Sequence, residues 1–421
     1  MNSVDVVVIG GGPAGLLAAG KAAADRANVF LLEKMEKPAR KLRITGKGRC
    51  NITNTKPFSE FINDIFPEPR FLRDAFSSFF SDDIIRLLNE QGVATVVERG
   101  MRVFPVSGKA WDVAEALVKW ARAKGARIEN HTRVTGITVS EGSVAGVRYT
   151  DKSGNMAEVS CRSVVLATGG KSYPATGSTG HGYELASSLG HTITPLLPAL
   201  VGVETRPTYS LKKSLLLRNV NLSLFIEGKK VDEEFGELEI TPYGLNGPIM
   251  LRLSRRIVFA LAKGSRVELE LDLKPALSHD KLDARIIREV DESPRIAVAD
   301  LAKRLLPHDL ALEMIDELGL AAQKNLGRLT ADERKSIRLW LKEQRFEVLA
   351  QRSWPEAIVT AGGVSLKEVN QKTMGSKKIN GLYFAGELLD LDGSTGGYNL
   401  QIAYSTGWLA GKSAAMAIQK R

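Results

Sequence analysis

Three glycines near the start of the chain, Gly10, Gly12 and Gly15, stand in the spacing G-x-G-x-x-G. In that spacing the first glycine makes a tight turn, the second lets the backbone approach a diphosphate, and the third lets a helix pack closely on a strand. The free N–H groups and dipole of a helix that starts there favour an anion. About twenty residues on, Glu33 offers a carboxylate that accepts hydrogen bonds from ribose hydroxyls. These residue types point to a dinucleotide and leave open whether it is a flavin or a nicotinamide. Cys50 is a second chemical candidate. Lys47, Arg49 and glycines flank it, a setting expected to lower the thiol's pKa and suit it to deliver a proton; the alternative is a small residue packed in a loop. No metal site is expected, because the two cysteines, Cys50 and Cys161, lie far apart and the five histidines are scattered.

The elements that must position these residues can be read from the hydrophobic pattern. Residues 4–9 read as a buried parallel strand, 13–25 as an Ala-rich helix and 28–33 as a second strand, a βαβ unit. The segment "SVVLATGG" (163–170) is another buried strand ending in glycines, and "INGLYFAGELLD" (379–390) repeats that grammar before a final helix. Residues 82–91 and 110–124 read as helices, and 93–106 and 134–150 alternate like hairpin strands. From 191 to 275 the pattern is of short strands with turns, and from 280 to 350 it is helical. The two ends are alike and the middle differs. The expected fold class is therefore α/β: one Rossmann-like dinucleotide-binding domain built from 1–190 and 356–421, interrupted by a β-rich, barrel-like part at 191–275 and a helical part at 276–355.

With 421 residues, 43% of them hydrophobic and 25% charged, the composition is that of a globular protein and excludes a fibrous or disordered one. The first apolar run is broken by Gly10, Gly11, Gly12 and Pro13 and carries Asp5, so it suits neither a signal peptide nor a membrane span, and no other stretch comes closer. A reduced, cytoplasmic protein without a membrane partner is expected. Two segments, 36–56 and 321–352, together carry the whole surplus of the +10 net charge. The first is expected to serve a cofactor's diphosphate. The second, with Arg334, Lys335, Arg338, Lys342 and Arg345 spaced around Trp340 and Phe346, reads either as a solvated helix face or as a nucleic-acid-facing surface.

The segments "KPARKLRITGKGRCNITN" (37–54), "MRVFPVS" (101–107), "ATGGKSYPATGSTGHGYELASSLGH" (167–191), "LDLKPALSHDKLDARI" (271–286), "TAGGVSL" (360–366) and "GELLDLDGSTGGYNLQIAYSTG" (386–407) closely resemble the BaiN/RdsA-type, YhiN-like family of FAD-dependent oxidoreductases. The likeness runs nearly end to end. It implies a flavin domain of the two-dinucleotide-binding type built from both termini, holding non-covalent FAD, with an inserted substrate domain. Carried over position by position, it implies FAD contacts at Gly10, Gly12, Pro13, Ala14, Gly15, Glu33, Lys34, Lys41, Gly46, Arg49, Cys50, Asn51, Gly386, Glu387, Asn399, Leu400 and Gln401. Many relatives carry a histidine where this chain has Pro242 in "ITPYGLNGP" (240–248), so any acid–base role of that histidine is absent here.

No second strand followed by G-x-G-x-x-G is found, so NAD(P)H is expected at most as a diffusible reductant. Within the family the expected reaction is flavin-mediated reduction of an activated C=C, with a uridine of ribosomal RNA as the preferred substrate (dihydrouridine synthesis). The alternatives are a small-molecule oxidoreductase, acting as an amine oxidase or an enone or steroid-acid reductase, and a non-catalytic flavin-containing RNA-binding factor.

Overall fold

Five parallel strands form the centre of the N- and C-terminal parts of the chain. In the computed structural model, which describes residues 3–211 and 213–419, their order across the sheet is Leu382–Phe384, Met156–Leu166, Ser3–Ile9, Val29–Leu32 and Arg127–Glu129. Strand β1 (Ser3–Ile9) lies between two parallel neighbours, with Val8 beside Leu31 on one side and Val165 on the other. Val6, Val7 and Val8 are fully buried. A β-branched run with no polar alternation belongs in a strand covered on both faces. Helix α1 (Pro13–Ala24) follows, then β2 (Val29–Leu32).

The covering layer includes the C-terminal helix, Tyr398–Gln419, which lies against α1 at backbone distance. A Cβ at Gly407 would sit 2.2 Å from Ala14 O, and one at Gly411 would sit 2.2 Å from Ala18 O. Small residues on both helices permit this approach, and any larger one would force them apart.

A three-stranded sheet lies beside this layer. Strand β3 (Thr53–Asn54) pairs antiparallel with β5 (Arg102–Pro105), which pairs with β4 (Thr95–Glu98) in a hairpin.

The chain divides into two units, residues 1–198 with 354–421, and residues 199–353. The second is a closed antiparallel barrel of six strands: Val203–Arg206, Leu215–Ile226, Lys229–Thr241, Gly244–Asn246, Val267–Asp272 and Gln344–Gln351. Leu222, Leu224, Leu269, Leu271 and Phe346 from the barrel share one buried cluster with Leu282, Leu301, Met314 and Ile337 from the helices. The barrel and the helices therefore form one body with one core, where the sequence pattern suggested two at 191–275 and 276–355. The segment 344–351, expected to be helical, is the last barrel strand; Gln344, Phe346 and Val348 point inward in strict alternation. No helix of the described residues is long and apolar enough to cross a membrane.

Candidate functional site: a nucleotide cradle at the sheet's carboxyl edge

β1, β2, Met156–Leu166 and Leu382–Phe384 run parallel, so their carboxyl ends share one edge of the sheet, where α/β folds bind ligands. At the end of β1, Gly10 adopts φ +102°, and a Cβ there would meet Ala167 O at 2.6 Å. Gly15 is packed harder still, since its Cβ would lie 1.8 Å from Gly10 O. Gly12 is the opposite: no atom lies within 4 Å of where its Cβ would be. Two of the three glycines are needed by the protein's own packing, and the third keeps space open at the mouth of α1. That opening lies beside first-turn N–H groups which a helix cannot pair internally. A diphosphate fits it.

Glu33 is 9% exposed and accepts from Gly11 N and Met35 N, both at 2.7 Å. Burial pushes its carboxyl above the ordinary value, opposed by the Met35 and Gly11 N–H groups. Each oxygen keeps one lone pair for a ribose hydroxyl. Lys34 Nζ donates to Thr179 Oγ1 at 2.9 Å.

Glu387 follows the fourth strand and is tied down on several sides. Oε2 takes Lys41 Nζ at 2.8 Å; Oε1 takes Ser172 Oγ and Thr360 N, each at 2.8 Å. Lys41 also donates to Ser172 Oγ at 2.7 Å. Burial works to raise the Glu387 carboxyl, but the Lys41 charge and these hydrogen bonds outweigh it and hold the group below its usual range. Gly386 brings this corner against α1, for a Cβ on it would lie 2.9 Å from Ala14 Cβ. Ser172 and Thr360 were not singled out in the sequence. A small polar residue two places past the glycines of "ATGGKS", and one opening "TAGG", were the available signals.

The G-R-C-N and G-G-Y-N segments meet here. Gly397 approaches Thr53 so closely that a Cβ would lie 2.5 Å from its carbonyl oxygen. The Asn51 amide, oriented to satisfy both partners, donates to Thr53 O and accepts from Gly397 N at 3.1 Å each. Thr53 Oγ1 donates to Gln401 Oε1 at 2.6 Å, and Gln401 Nε2 donates to Ser405 Oγ at 2.9 Å. Asn399 accepts from Gly393 N and donates to Gly393 O. The side chains of Asn51, Asn399 and Gln401 are thus engaged within the protein. Around Leu400 and its neighbours, the first turn of the C-terminal helix still presents N–H groups toward an anion.

Two expectations are corrected. The Cys50 thiol is fully buried, and burial pushes it up to about 12, only partly opposed by a hydrogen bond with Thr45; it is neither lowered by its basic neighbours nor accessible to a substrate. The bland alternative, a packed loop residue, is what the structure contains. Arg49, beside it in sequence, turns outward to pair with Glu98, its guanidinium 4.4 Å from the Phe104 ring centre.

The second correction concerns the basic run of the insertion, which is not one open face. Lys342 is 9% exposed and donates to Asp272 at 2.5 Å and to the carbonyls of Lys274 and Leu277. Arg334 and Arg338 share Asp283, at 3.0 and 3.7 Å, and Arg345, on the last barrel strand, pairs with Glu270 at 2.8 Å. Lys335 alone of the five is exposed without an acidic partner among the described residues. Trp340, which donates to Glu317, and Phe346 are buried and offer no face for a base to stack on. Among the described residues no group of three or more His, Cys, Asp or Glu is placed to hold a metal.

A Rossmann-like cradle drawn from two distant parts of the chain is a dinucleotide site, and the family to which the chain belongs makes it that of an FAD-dependent oxidoreductase. Residues 4–413 match the family described as the HI0933-like protein Rossmann domain, and the chain belongs to it. It is 30% identical, over 99% of both chains, to the 3-dehydro-bile acid delta(4,6)-reductase of Clostridium scindens. It is 28% identical to the ribosomal RNA dihydrouridine synthase of Escherichia coli, over 97% of both. Among solved structures it superposes on the 3-ketosteroid-delta4-(5alpha)-dehydrogenase of Rhodococcus jostii with a TM-score of 0.52 at 17% identity, covering 98% of this chain and 97% of that one. The last likeness speaks to the fold alone.

Proposed function

We propose that the protein reduces a carbon–carbon double bond conjugated to a carbonyl, and that its substrate is a uridine of ribosomal RNA. One observation carries the reaction type: the chain aligns end to end with relatives named as a delta(4,6)-reductase and as dihydrouridine synthases, two names with one chemistry. In each, two hydrogens add across C=C, and the conjugated carbonyl accepts the electron pair displaced when hydride reaches the β carbon. When bound and in its two-electron-reduced state, FAD would supply that hydride and be left oxidised, to be reduced again by NAD(P)H or another two-electron donor.

The chain's own residues bind and orient. Gly12 and the α1 N–H groups would hold the diphosphate and Glu33 the ribose, while the Lys41–Glu387 pair would fix charge beside the cofactor. Neither cysteine supplies the proton to the α carbon: Cys50 and Cys161 are buried, with both thiols pushed up to about 12. The charge distribution favours RNA over a small enone. The flavin-binding unit holds 32 Lys and Arg against 24 Asp and Glu, a surplus of +8, whereas the insertion holds 26 against 24. The test is to reduce the purified holoprotein, add unmodified ribosomal RNA, and search by mass spectrometry for a uridine that has gained two hydrogens. Such a product is expected. Its absence, with turnover of a small enone at the same flavin loading, transfers the assignment to the small-molecule reductase.

A further inference from the structure

We infer that the tip of the β4–β5 hairpin, Arg99–Gly100–Met101–Arg102, is an RNA-contacting wedge, with Met101 the element that enters a base step and the flanking cations the grip on phosphate. The inference rests on the RNA reading above and specifies where that partner docks. The sequence left the basic run of the insertion open between a solvated helix face and a nucleic-acid-facing surface, and ion pairs occupy four of its five named cations.

The tip combines three features. Met101 is 51% exposed and sits at φ +60°, a left-handed conformation that a long apolar side chain rarely adopts. Such an outlier persists only where its surroundings hold it. They do here. Met101 O accepts from Thr55 N at 2.9 Å, and Gly100 O accepts from Asn54 Nδ2 at 3.0 Å. The same Asn54 amide donates to Gly396 O at 3.2 Å, in the loop that opens the C-terminal helix. The tip is therefore fixed, rooted on β3, and tied through one side chain to the glycine loop of the nucleotide cradle.

The second feature is charge. Arg99 and Arg102 flank the methionine, both are exposed, and neither has an acidic partner among the described residues; the same holds for Lys47 and Lys109. The Arg102 and Arg49 guanidiniums lie 5.9 and 4.4 Å from the same Phe104 ring centre, which joins the tip to the 46–49 loop; Glu98 neutralises Arg49 there, and Arg99 and Arg102 keep their charge unpaired among the described residues. The third feature is apolar exposure on both faces of the hairpin, where Val96, Val97 and Val106 are 42, 52 and 64% exposed. Unpaired cations around exposed apolar side chains suit a polyanion that carries apolar base faces. They disfavour a second copy of this chain, which would bring like charges together. Apolar wedges inserted between base steps are an established way for proteins to unstack nucleic acid, and reduction of a uridine requires that base to leave its stack.

The experiment uses the FAD-loaded full chain. Arg99→Glu with Arg102→Glu is compared with wild type and with Lys335→Glu on the insertion, for binding to unmodified ribosomal RNA over a range of salt. The hairpin variant is expected to bind at least tenfold more weakly, with the slope of log affinity against log salt reduced by about 1.5 to 2. Its flavin content and melting temperature should match wild type. Met101→Ser is expected to retain most binding while losing the fluorescence rise that wild type produces in a uridine-rich RNA oligonucleotide containing 2-aminopurine. Wild-type affinity and slope in the hairpin variant overturn the inference, as does a fluorescence rise unchanged in Met101→Ser or no salt-dependent RNA binding by wild type. If the hairpin governs binding but no dihydrouridine forms, the docking surface stands and the substrate assignment falls. If the hairpin variant forms dihydrouridine at an unchanged rate, the substrate assignment stands and the docking surface falls.

Discussion

Gly12 and Gly15 stand three residues apart and respond to substitution for opposite reasons. A methyl group at Gly15 would collide with the Gly10 carbonyl, while one at Gly12 meets nothing in the protein. Gly15→Ala is therefore expected to unfold or severely destabilise the chain, at a cost of more than about 4 kcal/mol. Gly12→Ala should melt near wild type in the absence of flavin, yet bind FAD at least tenfold more weakly, a loss of about 1.4 kcal/mol. Thermal melts of the apoprotein and flavin-fluorescence titration separate the two. The thiols give a second check. At about pH 8 a thiol reagent should titrate neither Cys50 nor Cys161 in the native protein and both after denaturation. The glycine spacing was legible because two positions are set by close backbone packing and the third by the space a diphosphate requires. The thiol's environment was not, since the burial that sets it comes from residues distant in sequence.

At the scale of elements, the periodicities carried most of the fold. The expected helices at 82–91 and 110–124 are found at Ser81–Glu90 and Ala110–Ala123, and the alternating stretches at 93–106 and 134–150 form hairpins. The strand Gln344–Gln351 was missed because its alternation begins two residues after a helix of similar composition, and the barrel that selects it closes through a partner far away, Val203–Arg206. The polar network around Glu387 was equally hidden, since Lys41, Ser172 and Thr360 meet only in the folded sheet. One clip between elements makes a pH prediction. Glu368 accepts from Thr192 N and Oγ1 at 2.8 and 2.9 Å and pairs with Lys378 at 2.6 Å. Burial opposes ionisation, but these partners bring the carboxyl down to about 2 from 4.5. A depressed folded pKa gives stabilisation that is complete above the ordinary value and lost as pH falls toward about 2. Glu368→Gln should flatten the dependence of melting temperature on pH across that window.

For the molecule as a whole, the interruption of one nucleotide domain by another body was readable from the likeness of the two ends. Its limits in the fold are 198/199 and 353/354, where the sequence reading put them at 190/191 and 355/356. What composition could not reveal was that the barrel and helices share a core, because that depends on which faces meet. Residues 199–353 expressed alone are accordingly expected to melt in a single cooperative transition without binding flavin, as followed by circular dichroism and absorbance.

The C-terminal helix lies against α1 so closely that α1 leaves no room for a methyl group at Gly407 or Gly411, and the cradle draws Gly386, Glu387 and the 396–400 turn from the same late stretch. During synthesis the first βαβ segment emerges long before these partners exist. A ribosome-bound chain stopped short of residue 386 would display the phosphate loop without Glu387, the partner of Lys41. Completion of the cradle then waits on synthesis of the 386–400 stretch.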